Sequence, residues 1–401
     1  MLDLLFPEAL RNTNDQWKIA RELHPHVTKI LNAEIKDVSE KDKINLANLY
    51  YKLAKYHMIV NVNYPKALKY AKKSLDLWYN LCKDNQDILP KLGNVNNVLG
   101  VVYERLGNVQ DGLKHSKEGL KIRQILYVGN HPEIADSLYT VGKAYKRLGE
   151  TIRGINYLEL ALAMNKHLYP EKHYQIARSL GAIGTGYIDL GNFEKSLEYL
   201  KASLSILTAL HPVTHDKIAD LQTNIAYNYN KLGKYPEALV YAKSSVDLMQ
   251  KHYPDGHPVT IYSLDDFGET LIRTNNVKQG LDILHQALNM TEKFGMNKHF
   301  TTAWVLYNLG WGYFKNKNHP KALEYGERAL NLRKEIYSSV GNHPELAESL
   351  HNLADINLAL GNKNKGLQLY QDAIEMYSAL SLYHLPSVGE IKQKINELAS
   401  I

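Results

Sequence analysis

Residues 131–150 read HPEIADSLYTVGKAYKRLGE, a stretch that contains a helix start, an amphipathic run and a stop signal. Proline suits the first position of a helix because its missing N–H would have no partner there, and the glutamate that follows complements the positive end of the helix dipole. Apolar residues then recur at intervals of three and four until Gly149, where glycine allows the left-handed backbone that ends helices. The stretch predicts one helix, and residues 343–362, HPELAESLHNLADINLALGN, repeat its pattern.

The same landmarks return along the chain at a fixed interval. Histidines stand 42 residues apart, the last one after 44: His131, His173, His215, His257, His299 and His343. Small residues keep the same step: Gly112, Gly154, Ser196, Ala238, Gly280 and Ala322, with Ala67 45 residues before the first and Gly366 44 after the last. A fixed period of this length is typical of repeat architectures. We therefore predict eight copies of a unit that contains two helices, called helix A and helix B.

Small residues also stand where the two helices of a copy would approach each other. Counted so that Gly142 is position 8, helix A carries a small residue at position 8 and in most copies a tyrosine at position 11. This pattern resembles the tetratricopeptide repeat, and the 42-residue spacing with His-Pro-x-x-Ala-x-Ser-Leu openings is similar to the kinesin light chain type. The resemblance covers roughly residues 44–385. It implies an all-α fold, a right-handed α-solenoid of about eight helix-turn-helix repeats with capping helices.

The two ends of the chain differ from the repeats. Residues 1–43 predict a helical lead-in, which can be read as a degenerate half repeat. Its helix over residues 14–33 is kinked or restarted by Pro25. Its Leu-His-Pro-His stretch resembles the lead-in before the sensor ends of signal-transducing NTPases. Residues 386–401 predict a capping helix that covers the apolar face of the last repeat. On that helix we expect these polar side chains to face solvent: Lys392, Lys394 and Glu397.

The composition narrows the classes of function. Lys and Arg number 48 against 42 Asp and Glu, and a net charge of +6 over 401 residues is too weakly basic to indicate a nucleic-acid partner. The lone cysteine, Cys82, cannot form an intramolecular disulfide, which fits a reducing compartment. No apolar run approaches the 18 residues that a membrane span needs. We expect a soluble cytoplasmic protein with no membrane partner.

No catalytic, cofactor or metal site is predicted. Residues 181–186, GAIGTG, superficially resemble a phosphate loop, but they lack the Gly-Lys-Ser/Thr ending and follow no strand. The histidines that keep the repeat register fall one to a copy. Because packed helices lie about 8 to 10 Å apart, histidines separated by two helices cannot share an ion that needs bonds of about 2 Å. We therefore interpret them as helix-entry residues.

Helical geometry divides helix A into two sides. At about 100° per residue, positions 4, 7, 8 and 11 point to one side and pack, whereas positions 2, 5, 6, 9, 12 and 13 cover the opposite arc. In the tetratricopeptide families that second set lines a concave channel that holds a partner peptide. Copy seven places Trp304, Tyr307, Asn308, Trp311 and Phe314 on this arc, and other copies add Asn224, Tyr227, Tyr262 and Asn352. The same arc is basic in copies three and four, through Lys143, Lys146, Arg147 and Arg178, and mostly acidic in copy six, through Asp265, Asp266 and Glu269.

Two interpretations of these residues stay open. Contiguous exposed rings usually mark a binding site, and inward amides can hydrogen-bond a peptide backbone. Alternatively, the rings pack against neighbouring helices and the amides are ordinary polar residues of a helix. The basic side chains either bind an acidic peptide or are ordinary surface charges.

The leading functional hypothesis is an interaction module that binds a protein or peptide partner in the concave groove, without catalysis. The alternative is a sensor or regulatory portion of a signalling system that acts by self-assembly or by gating a separate enzyme. An enzyme or a nucleic-acid binder is disfavoured by the absence of motifs. The sequence leaves the oligomeric state open between a monomer and a weak homo-oligomer.

Overall fold

In a computed structural model, the described part of the chain is built of eighteen α-helices and contains no strand. The structure describes residues 14–31, 39–60, 63–81, 88–210, 215–338, 341–380, 382 and 386–399. Cys82 and the residues before Asn14 lie outside them, so the expectations about these residues stay predictions. No helix in the described ranges is long and apolar enough to cross a membrane.

The chain divides into two compact units, here called unit 1 (Met1–Ile206) and unit 2 (Leu207–Ile401). The first nine helices are α1 (Asn14–Leu31), α2 (Glu40–Ile59), α3 (Tyr64–Leu81), α4 (Leu89–Arg105), α5 (Val109–Leu126), α6 (Pro132–Arg147), α7 (Thr151–Leu168), α8 (Tyr174–Asp189) and α9 (Phe193–Leu210). The others are α10 (His215–Lys231), α11 (Tyr235–His252), α12 (Pro258–Arg273), α13 (Val277–Lys293), α14 (Phe300–Lys315), α15 (His319–Ile336), α16 (Pro344–Ala359), α17 (Lys363–Ala379) and α18 (Pro386–Ala399).

Each predicted copy is a helical hairpin, with helix A even-numbered from α2 to α16 and helix B following it. In unit 1, α4 packs against α5, α5 against α6 and α6 against α7, and successive A helices also touch. Unit 2 repeats this order from α10 to α17. Within each unit, the hairpins thus bury their apolar flanks against their neighbours, as a stack of repeats requires. The all-α fold of stacked helix-turn-helix repeats is confirmed.

The small residues allow helices A and B of a copy to touch through their backbones. A Cβ atom added at Gly154 on α7 would lie 2.7 Å from the carbonyl oxygen of Gly142 on α6. In unit 2, a Cβ atom at Gly280 would lie 2.7 Å from the carbonyl oxygen of Gly268. These separations are shorter than the non-bonded contacts that real Cβ atoms make, so a larger residue would push the helices apart.

The histidines begin the A helices as predicted. The Nδ1 atom of His131 accepts a hydrogen bond from the backbone N–H of Glu133 at 3.3 Å, which satisfies one of the unpaired donors of the helix start. The same bond recurs at His173, His257, His299 and His343. Tyrosines stack on several of these rings, and the centroids of Tyr127 and His131 lie 3.5 Å apart. Each cap needs a neutral imidazole, because Nδ1 must keep its lone pair.

The ends of the chain decide between two sequence-based alternatives at Pro25 and depart from one expectation at Lys394. A single helix, α1, passes through Pro25, so no new helix begins there. On this helix, the Nε2 atom of His24 lies 3.0 Å from Nε2 of His57 on α2. This contact and the apolar side chains around it help to hold α1 against the first repeat. At the other end, Lys394 does not simply face solvent: its ammonium group bonds the carboxylate of Asp355 at 2.5 Å. Lys392 and Glu397 are exposed as predicted.

Candidate functional site

The A helices of unit 2 present the residues that the sequence selects for binding. We call the side chains at positions 2, 5, 6, 9, 12 and 13 of α10, α12, α14 and α16 the unit 2 face. On α14 the packing positions, from Leu306 to Tyr313, are buried, whereas the rings of Trp304, Tyr307, Trp311 and Phe314 are half-buried. Helical arithmetic therefore separates the two sides correctly for the rings.

Most rings of this face are already in contact with side chains of the protein itself. The Arg333 guanidinium lies 4.6 Å from the ring centre of Tyr307, and Arg273 lies 4.9 Å from that of Trp311. Lys231 stands over Tyr227 at 5.1 Å. These cation–π contacts stabilise the position of the cation and the orientation of the ring.

Trp304 belongs to a separate group of rings at one edge of the face. Its ring is edge-on to Phe300 at 5.2 Å and to Tyr262 at 6.3 Å, measured between ring centres. All three rings are half-buried. Of the three tryptophans and phenylalanines that the sequence placed on this arc, Trp304 alone lacks a described cation over its ring or a position against the buried core of the unit.

The three asparagines at position 6 have three different environments. The Asn308 amide donates to Oδ1 of Asp265 at 3.0 Å, and the Asn224 amide donates to the backbone carbonyl of Asp220 at 2.8 Å. Asn352 is only 8% exposed, and its Nδ2 atom has no hydrogen-bond partner among the described residues. One of the three amides thus carries an unmet donor.

Six carboxylates lie on the unit 2 face, and the protein itself engages only half of them. Asp265 accepts from Asn308, Glu269 accepts from Arg273 at 2.8 Å, and Asp355 accepts from Lys394. The other three have no hydrogen bond or ion pair in the described part of the chain: Asp220, Asp266 and Glu348.

Burial raises the pKa values of two acids on this face. It raises the pKa of Asp265 to about 7, an effect that the hydrogen bond from Asn308 opposes. Burial also raises the pKa of Asp266 well above its usual value; Glu269 and Asp265 add to the shift, and Lys231 opposes it. The charged form of Asp266 is therefore disfavoured, since it has lost water without gaining a compensating partner.

The four basic side chains predicted in copies three and four lie in unit 1, and each has an acidic neighbour there. Lys143 and Arg147 approach Oε1 of Glu104 on α4 at 3.7 and 3.3 Å. Lys146 pairs with Asp189 on α8 at 3.3 Å. Arg178 bonds Asp136 at 2.8 Å and stacks on the ring of Tyr139 at 3.7 Å. These cations therefore join successive A helices, and a partner would have to compete for them.

Unit 1 also contains a cavity that the sequence analysis did not select. Its volume is about 150 Å³, and it lies between the first two copies. Its lining is Asn48, Tyr51, Lys52, Lys55, Trp78, Lys91 and Asn94. Four of these, on α2, occupy positions 2, 5, 6 and 9 of helix A, so the arc rule applied to copy one would have identified them. Within the described residues, no group of three or more His, Cys, Asp or Glu side chains is placed to hold a metal ion.

Three solved structures have a similar fold. The apo form of the quorum sensor NprR from B. thuringiensis has a TM-score of 0.62 and 17% identity, over 90% of this chain and 97% of that chain. Aspartyl phosphate phosphatase F from Bacillus subtilis has a TM-score of 0.59 and 13% identity, over 90% and 89%. The Rap conjugation gene regulator of the plasmid pLS20, in complex with the Phr* peptide, has a TM-score of 0.57 and 15% identity, over 82% and 87%. At these identities the likeness concerns the fold alone.

Sequence comparison identifies the repeats directly, although no curated protein matches the chain significantly. Tetratricopeptide repeat models match residues 92–167, 175–251, 259–335 and 346–381. The first three stretches begin two copies apart, in agreement with the 42-residue period. The matches cover more than half of the chain and account for its helical hairpins, small interface residues and turns. The chain therefore belongs to the tetratricopeptide repeat family.

Proposed function

We propose that the protein is an interaction module whose unit 2 face binds a peptide segment of a partner protein, without chemistry of its own. The observation that carries this proposal is the buried amide of Asn352, whose Nδ2 atom lacks an acceptor in the described part of the chain. A buried donor without an acceptor costs about 1 to 3 kcal/mol. A backbone carbonyl of a bound segment would supply the acceptor, and this is how amides recognise peptides of varied sequence.

The aromatic group on other A helices of the unit 2 face supports a protein ligand. Trp304, Phe300 and Tyr262 form a half-buried aromatic group on the neighbouring A helices. Large rings bury much apolar area and lose little conformational entropy on binding, so they dominate the energetics of protein interfaces. An apolar side chain of the segment would pack on Trp304 while its backbone bonds Asn352.

Proteins of the same fold add a weaker argument by analogy. The Rap conjugation gene regulator was solved in complex with a peptide, and NprR is described as a quorum sensor. Fold does not determine function, so this argument supports a peptide ligand without identifying it. The regulatory hypothesis requires the same binding event and adds an effector downstream of it. One of the similar structures is named as an aspartyl phosphate phosphatase, so proteins with this fold are not all named as binding modules.

Panning a phage-displayed library of random peptides tests the proposal. We expect the wild-type protein to enrich a set of peptides that Asn352→Ala binds at least tenfold more weakly, and Trp304→Ala likewise. Asn331→Ala is the control, because that amide is exposed on helix B of copy seven and lies outside the unit 2 face. It should bind the peptides within twofold of the wild type. Enriched peptides that bind folded Asn352→Ala and Trp304→Ala as tightly as the wild type would refute the site.

A further inference from the structure

We propose that the cavity of unit 1 binds a phosphate group. The cavity lies between copies one and two, and its lining comes from the helices α2, α3 and α4. It belongs to unit 1, whereas the binding site of the proposed function belongs to unit 2. The proposal therefore goes beyond the proposed function and does not rest on it.

The charge of the lining favours an anion. Lys52, Lys55 and Lys91 all line the cavity, and none of the described residues that line it is an acid. Lys52 is only 8% exposed, so water screens its charge poorly. Like charges around one small space repel each other, and a bound anion replaces that repulsion by attraction to each of them.

The amides of the lining add hydrogen-bond donors. Asn48 and Asn94 stand at position 2 of successive A helices, and both line the cavity. Arg123 donates from Nη2 to the Oδ1 atom of Asn94 at 2.8 Å, while its other nitrogens bond Ser137 and Glu133. The oxygen of Asn94 is thus engaged, and its NH₂ group bonds no described residue. An amide held in this orientation suits an oxyanion, which accepts hydrogen bonds.

Helix α4 brings the positive end of its dipole to the same cavity. Lys91 is the third residue of α4 and Asn94 lies in the next turn, so the N-terminal end of the helix forms this wall. The first N–H groups of a helix have no partner within it, and no side chain caps the start of α4 in the described residues. The helix end therefore attracts an anion, as the lysines do.

The size of the cavity and the number of its cations select a phosphate among anions. Its volume is about 150 Å³, above the roughly 10 to 15 Å³ that one water needs and below the roughly 300 to 1,000 Å³ of pockets for drug-sized ligands. A phosphate group carries a charge of about −1.5 to −2 at pH 7 and three strong acceptor oxygens. A carboxylate carries a single charge, so it balances three ammonium groups less well.

Titration of the full chain with inorganic phosphate at constant ionic strength tests the proposal. We expect a saturable shift of the indole N–H resonance of Trp78, which lines the cavity and is identified by its loss in Trp78→Phe. The double variant Lys55→Gln, Lys91→Gln should bind phosphate at least tenfold more weakly. The control variant Lys69→Gln, Lys121→Gln removes two exposed lysines of α3 and α5 and the same net charge. It should bind phosphate within twofold of the wild type.

A second variant and a second measurement check the site independently. Asn94→Ala removes the amide donor and leaves every lysine in place, so it should weaken phosphate binding at least fivefold. Phosphate should also raise the melting temperature of the wild type and of the control variant, because a ligand that binds only the folded state stabilises it. The rise should be much smaller for the folded double variant.

Two further probes identify the source of the phosphate group. Glycerol 3-phosphate represents a small phosphorylated molecule, and a short peptide with a central phosphoserine represents a phosphorylated side chain. The probe that binds most tightly indicates the source, and free phosphate is the ligand if neither exceeds it.

Three results would overturn the proposal. The first is the absence of a saturable shift at Trp78 with all three phosphate probes. The second is acetate binding as tightly as phosphate at the same ionic strength. The third is a folded double variant that binds phosphate as the control variant does.

Discussion

The inner positions of helix A carry opposite charge in the two units and use it differently. In unit 1 the basic side chains of α6 and α8 meet carboxylates on adjacent A helices, at Glu104, Asp136 and Asp189. In unit 2, Asp266 and Glu348 have no such partner in the described part of the chain. In the same repeat fold, polar side chains at the inner positions can therefore either join neighbouring copies or stay available for a ligand.

The scaffold beneath these faces is the same in both units. Arg123 lies in the last turn of α5 and bonds Ser137, and its Nε atom pairs with Glu133 at 3.2 Å. Arg333, which stands 210 residues or five copies later, makes the same contacts with Ser349 and Glu345. Both arginines are almost fully buried. The two units therefore share this junction, while their inner positions differ.

The largest expected effect comes from removing these buried arginines. Breaking a buried ion pair leaves an uncompensated charge, so Arg123→Met and Arg333→Met should each lower the free energy of unfolding by about 4 kcal/mol. Hydrogen exchange of the flanking helices, measured by mass spectrometry, reports the loss within each unit. Lys392→Met, which changes an exposed charge on α18, is the control. A large loss in one unit and none in the other would contradict the common scaffold.

A pH dependence that comes from Asp265 in unit 2 should come next in size. Burial raises the pKa of Asp265 to about 7 from a reference value of 3.8, so the folded state holds the proton more tightly than the unfolded state. The stabilisation is complete below pH 3.8 and is lost as the pH rises through 7. Between these values α12 should lose about 4 kcal/mol of protection from hydrogen exchange relative to Asp265→Asn. Equal pH profiles of the two proteins would show that Asp265 does not titrate in this way.

The smallest effects test the comparison itself, because they should differ in sign. Glu104→Gln in unit 1 weakens the attraction to Lys143 and Arg147, and with those cations partly solvated the loss should be about 2 kcal/mol. Asp266→Asn in unit 2 removes a desolvated charge without a partner and should stabilise its unit by about 1 kcal/mol. Urea unfolding monitored by hydrogen exchange measures both. If Asp266→Asn destabilises unit 2 as Glu104→Gln destabilises unit 1, the two faces are alike.

The sequence predicted the repeats and their helices closely because local signals define them. The histidine caps, the small interface residues and Gly149, whose φ is +81°, all stand where the 42-residue period places them. Helix ends differ from the prediction by one or two residues. Family membership followed from the same signals.

The partners of the inner side chains could not be predicted in the same way. Asn224, Asn308 and Asn352 are equivalent in sequence, yet one bonds its own helix, one bonds the preceding copy and one has no partner in the described residues. These outcomes depend on which side chains neighbouring helices bring within about 3 Å, and a period of 42 does not determine that distance. The assignment of the nine unit 2 residues and the four basic unit 1 residues to a binding site stays a prediction.

The histidine cap makes the start of each helix that carries it independent of the neighbouring copies. Tyr127 stacks on His131, and Tyr337 stacks on His343. Each imidazole also accepts a hydrogen bond from the backbone N–H two residues further along the chain. A duplicated 42-residue stretch would therefore bring its own helix start with it. Such a chain can gain or lose whole modules during evolution without new signals for where its helices begin.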